Sequence, residues 1–84
     1  MIKIAKAIRT CEYCPAQWDM YTEDNRYLYC RYRWGYLAIR YGVQGPKVFA
    51  WDSDDETDGF MSNDRLMELT KNVLDFSSTT WEER

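Results

Sequence analysis

Eighty-four residues set a ceiling of one domain with a small core, and a hydrophobic share of 45% is too high for a disordered chain. Histidine is absent, which removes the commonest general base and metal ligand, and with them most hydrolytic chemistries built on Ser-His or Cys-His pairs. The net charge of −3 conceals a break near Trp51: residues 1–50 hold eight basic and four acidic side chains, net +4, whereas residues 51–84 hold three and ten, net −7.

Along the chain, Ile2-Lys3-Ile4 alternates as a strand does, while Ala5 to Arg9 fits either a strand or an amphipathic turn. Cys11-Glu12-Tyr13-Cys14-Pro15 reads as a turn, because Pro15 disfavours helix at Cys14. Gln17 to Thr22 is a short strand, closed by the turn residues Glu23-Asp24-Asn25. Arg26 to Trp34 is the clearest strand. It places Leu28, Cys30, Tyr32 and Trp34 on one face and Tyr27, Tyr29, Arg31 and Arg33 on the other. Gly35 reverses the chain into a strand from Tyr36 to Tyr41. Gly42 and Gln44-Gly45-Pro46 then turn it into a fourth, Lys47 to Trp51.

Asp52 to Gly59 is an acidic loop, after which Ser62, Asn63 or Asp64 can cap a helix. Leu66, Leu69, Val73 and Phe76 form one helical stripe, widened by Met67 and Leu74, so the helix is expected from about Asp64 to about Phe76. Ser77-Ser78-Thr79-Thr80 ends it, and the Trp81 tail either frays or is pinned by its indole. The expected fold is a single α+β domain: a sheet over about 1–51, an acidic loop over about 52–62 and a helix over about 63–76. The sheet is an antiparallel meander of three to five strands with the C-terminal helix packed on one face. Leu28, Cys30 and Leu37 or Ile39 are expected beneath Leu66, Leu69 and Val73.

No apolar run approaches the roughly 20 residues of a membrane span, and residues 1–9 hold no uninterrupted apolar stretch of the secretory kind. A cytoplasmic protein with reduced thiols and no membrane partner is expected. Cys11-x-x-Cys14 is two ligands short of a zinc site; Cys30 is the only further thiol and no histidine completes the set. The same four residues superficially resemble a glutaredoxin or thioredoxin motif, but Pro15 and strand-like sequence stand where that motif needs a helix. No metal and no cofactor are therefore expected. Asp54-x-Glu56-x-Asp58-Gly59 looks like a calcium loop, yet counted from Asp54 its twelfth position is Arg65, whose charge opposes a cation.

Two surfaces remain as candidate sites. The acidic one, Asp52, Asp54, Asp55, Glu56 and Asp58, suits a basic partner, with a solvated loop as the plainer reading. The basic one, Tyr29, Arg31, Arg33, Tyr36 and Arg40, interleaves cations and rings on one sheet face. It suits single-stranded nucleic acid by stacking and phosphate contact, with cross-strand packing of arginine on tyrosine as the plainer reading.

The stretch Cys14-Pro15-Ala16-Gln17-Trp18-Asp19-x-x-Thr22-x-Asp24, followed by Tyr27-Leu28-Tyr29-x-Arg31-Tyr32-Arg33-x-Gly35, resembles short open reading frames of actinobacteria and their phages. The resemblance covers about a quarter of the chain and implies no activity and no catalytic residues. It implies a phage or mobile-element protein, a class in which small acidic α+β proteins are similar in size and style to inhibitors of host defence such as anti-CRISPR proteins. The sequence-level expectation is thus a non-enzymatic interaction module. It would dock through its acidic half on a larger host or phage protein, such as a nucleic-acid enzyme. A small single-stranded nucleic-acid binder is the alternative.

Overall fold

The structure, a computed structural model, describes residues 1–11, 16–54 and 59–84. The chain runs β1 (Ile2–Cys11), β2 (Ala16–Thr22), β3 (Tyr27–Arg33), β4 (Tyr36–Tyr41), β5 (Lys47–Asp52), α1 (Asn63–Thr70), β6 (Leu74–Asp75) and β7 (Thr80–Glu83). The class is α+β, as the alternating strands and the capped helix require. The sheet is larger and differently closed than the expected meander. Five antiparallel strands lie in the order β5-β4-β3-β2-β1, and β6 and β7 then add in parallel along the far edge of β1. The seven strands curl into a half-barrel.

Period-two alternation builds the core. The inward ladder pairs Arg9 with Trp18, Trp18 with Cys30, Cys30 with Ile39 and Ile39 with Phe49. One rung along, Ala7 faces Met20, Met20 faces Leu28 and Leu28 faces Tyr41. Leu28, Cys30, Leu37 and Ile39 are fully buried in one cluster with Leu66, against which Leu69 and Val73 are partly buried. A shift of register between Ile4 and Lys6 explains why Ala5 to Arg9 reads ambiguously. A second shift lies between Arg9 and Cys11, and between the two Ala7, Ile8 and Arg9 are all buried, so the alternation is broken along this strand.

Two expected features, the end of the helix and the place of Trp34, are corrected, and the tail takes the pinned of its two expected states. The helix ends at Thr70, Val73 lies in the turn after it, and Leu74 belongs to the sheet: Val73 O accepts from Ile2 N at 2.9 Å, and Ile2 pairs with Leu74. β-branched and leucine side chains fit both periods, and the free edge of β1 offers ladder hydrogen bonds that a longer helix would forgo. The tail is a strand, β7, and Trp81 stacks on Phe76 with ring centroids 5.2 Å apart. Trp34 is not a core residue. It occupies the β3–β4 turn and is 58% exposed.

Helix α1 starts as its sequence dictates: Ser62 Oγ accepts from Arg65 N at 3.1 Å, the expected cap of the first turn. One buried charge anchors the segment ahead of it. Arg9, 5% exposed, donates to Asn63 Oδ1 at 3.0 Å and to Met61 O at 2.5 Å, with its guanidinium 5.0 Å from the Trp18 ring centre. Trp18 Nε1 donates to the same Asn63 oxygen at 2.8 Å. Sheet and helix are thus tied through one amide. No helix among the described residues is long and apolar enough to cross a membrane.

Candidate nucleic-acid interface

The outward side of the same strands carries the opposite chemistry. Across β3 and β4, Tyr29 faces Arg40, Arg31 faces Ala38 and Arg33 faces Tyr36. On the next strand Ala50 faces Ala38, so two small side chains lie side by side in the middle of this face. A hollow of about 460 Å³ opens over Ala38. Arg31, Arg33 and Arg40 line it together with Tyr29, Trp34 and Tyr36, and Val43 closes one end. All five residues singled out in the sequence, Tyr29, Arg31, Arg33, Tyr36 and Arg40, therefore converge on one concavity. Trp34, Ala38 and Val43 were not foreseen as part of it. Small size at Ala38 is what makes room.

Loop geometry shapes the two ends. The β4–β5 loop folds back tightly enough that a Cβ on Gly45 would sit 1.6 Å from Tyr41 O, so only glycine fits there. Arg40 Nη1 donates to Gly45 O at 3.3 Å, which keeps the arginine beside that loop and Val43. At the other end the β3–β4 hairpin turns in two residues, Trp34 and Gly35, with φ of +55° and +73°. Ser53 N donates to Gly35 O at 2.8 Å and pins that turn to the segment after β5.

The electrostatics of the hollow are those of a cation cluster. The ion pairs among the described residues are Lys6–Glu82, Arg26–Asp24 and Arg65–Glu68, and none involves Arg31, Arg33 or Arg40. The Nε atoms of Arg31 and Arg33 are buried without a hydrogen-bond partner. Arg33 lies over Trp34, its guanidinium carbon 5.1 Å from the ring centre, and Lys47 donates to Tyr36 Oη at 2.7 Å while lying over the same ring. Arg31 and Arg40 stack on none of the described rings. The arginine-on-tyrosine packing expected of a purely structural face is therefore not made by these two.

Two carboxylates share the face. Asp19 accepts from Tyr27 Oη at 2.6 Å, and burial, reinforced by that hydrogen bond, pushes the Tyr27 phenol up so that it stays a neutral donor. Asp52 lies opposite Tyr36 at the rim and accepts from Asp54 N at 2.9 Å.

The acidic candidates are only partly within view. Asp52 and Asp54 are exposed, and Asp54 holds φ of +65°. Asp55, Glu56 and Asp58 lie outside the described residues, as do Cys14 and most of the calcium-like loop. The three-thiol set is not assembled by the two cysteines that are described. Cys11 is exposed and pairs with Gln17 on the outward side, whereas Cys30 is buried on the inward side opposite Trp18. Burial pushes the Cys30 thiol well above its ordinary pKa, so it behaves as a small apolar side chain. Among the described residues no group of three or more Cys, Asp or Glu side chains is placed to hold a metal ion.

No protein family, curated protein or solved structure matches this chain.

Proposed function

We propose that this chain binds single-stranded nucleic acid on the outward face of β3 and β4, as a binding module and not as an enzyme. The observation that carries the reading is the hollow over Ala38, lined by three arginines that no described carboxylate neutralises and by three aromatic rings. A single strand offers a phosphate backbone and unstacked bases together, and this lining answers both. Tyr36 to Arg40 spans about 13 Å at the usual strand rise, which suits a short run of nucleotides. The net negative charge of the chain does not oppose this, because the acidic side chains concentrate after residue 51 while the hollow lies in the basic half.

Docking on a larger protein through the acidic half is the weaker reading. Of its acidic loop only Asp52 and Asp54 lie among the described residues, Asp52 already caps a local turn, and Glu68 and Glu82 are held in ion pairs with Arg65 and Lys6. Fluorescence anisotropy with a labelled mixed-sequence oligonucleotide at low salt separates the two. Wild type should bind at micromolar concentration. Ala38→Glu, which fills the hollow with a bulky carboxylate, should abolish binding while leaving Tm nearly unchanged. Removing the charges of Asp52 and Asp54 should strengthen binding, because it removes repulsion from phosphate. Absence of binding, or binding indifferent to Ala38→Glu, would return the acidic half to first place.

A further inference from the structure

We propose that Trp34 is the residue on which an unpaired base stacks, and that its left-handed turn position is kept for that contact. The inference rests on the single-strand reading above and adds the element that selects unpaired bases. Arg33 pairs with Tyr36, so the β3–β4 loop is two residues long. Positive φ at both Trp34 and Gly35 is the sense of a type I′ turn, whose twist matches the flanking strands. Such turns favour Asn-Gly or Asp-Gly, since Asn and Asp tolerate the left-handed region and Gly has no side chain to clash. A tryptophan there is a steric outlier.

Burial does not offset that strain. Trp34 is 58% exposed and belongs to no core cluster, whereas Trp18 is fully buried and Trp51 and Trp81 pack against the core. The surrounding structure holds the turn in place through the Arg33–Tyr36 pair and the Ser53 N to Gly35 O hydrogen bond. Strained positions that persist in this way concentrate at functional sites. The ring lines the cation-rich hollow with the Arg33 guanidinium over one face, and at 58% exposure it still offers surface to a second ring. A base in a single strand can reach that surface while its phosphates meet Arg31 and Arg40. Bases inside a duplex are stacked on one another and cannot.

The test compares wild type, Trp34→Asn and Trp34→Phe for thermal stability and for binding of a labelled oligonucleotide, single-stranded and as the duplex of the same sequence. Asn suits the turn, so Trp34→Asn should raise Tm by about 4 °C or more. The same variant should weaken single-strand binding by about tenfold or more, the usual effect of losing one stacking platform. It should also erase the preference over duplex, and Trp34→Phe should retain most of the affinity. A fall in Tm for Trp34→Asn would assign the indole a packing role and overturn the inference. Equal binding by wild type and Trp34→Asn would overturn it while leaving the groove reading intact. Failure of wild type to bind any oligonucleotide, or equal affinity for an acidic peptide, would overturn both.

Discussion

The two faces of β3 and β4 are written by the same alternation and do opposite things. Leu28, Cys30, Tyr32, Leu37 and Ile39 point inward and are at most 1% exposed. Tyr29, Arg31, Arg33, Tyr36 and Arg40 alternate with them on the other side and leave a hollow. Inside, each side chain is fixed by its neighbours, because close packing penalises any change of volume. Outside, nothing in the packing requires three arginines around an alanine, and like charges held together without an ion pair among the described residues oppose stability. The difference teaches where to look for function in a small sheet: at the face whose composition the fold does not demand.

If the inward face carries the stability, truncations there should dominate. Trp18→Ala, at the centre of the inward ladder, should cost about 3–5 kcal/mol in chemical denaturation. Leu66→Ala should cost about 2–5 kcal/mol. Leu69→Ala should cost clearly less, since Leu66 is fully buried and Leu69 only partly so. Equal losses at the two leucines would mean that the helix presents a different face to the sheet.

Arg9 sharpens the comparison, because it is a cation on the apolar side. Arg9→Met should keep the packing against Trp18 but leave Asn63 Oδ1 with fewer donors and Met61 O without its guanidinium partner. A loss of about 1–3 kcal/mol is expected, the usual penalty for stranding buried acceptors. A neutral outcome would show that Asn63 and Met61 are satisfied otherwise, and that Arg9 is not the tie between sheet and helix.

Much of this division was legible in the sequence. The alternation from Arg26 to Trp34 placed Tyr29, Arg31 and Arg33 on one face and Leu28 and Cys30 on the other, and the structure keeps both sets. The same rule carried Trp34 too far. Period two says nothing of where a strand stops, and no propensity favours tryptophan at positive φ. β6 and β7 were unreadable for another reason. They are short, they pair in parallel with a strand about 70 residues earlier, and such pairing leaves no local pattern. Val73 and Phe76 continue the helical stripe of Leu66 and Leu69, so the pattern reads as a longer helix than the eight residues it spans. The hollow itself could not be read, since it depends on Ala38 lying opposite Arg31 and Ala50, which is a matter of register.

The outward face should show the smallest effect on stability and the largest on binding. Replacing Arg31, Arg33 and Arg40 together by glutamine should change Tm little, because none makes an ion pair among the described residues. The most direct test of the account is the salt dependence of oligonucleotide binding in wild type and in this triple variant. Each phosphate neutralised on a single strand contributes about −0.7 to the slope of log affinity against log salt. Wild type should therefore show a slope near −2, and the variant, folded but weak, a slope near zero. A wild-type slope near zero, or one that the triple variant leaves unchanged, would contradict the claim that these arginines meet phosphate.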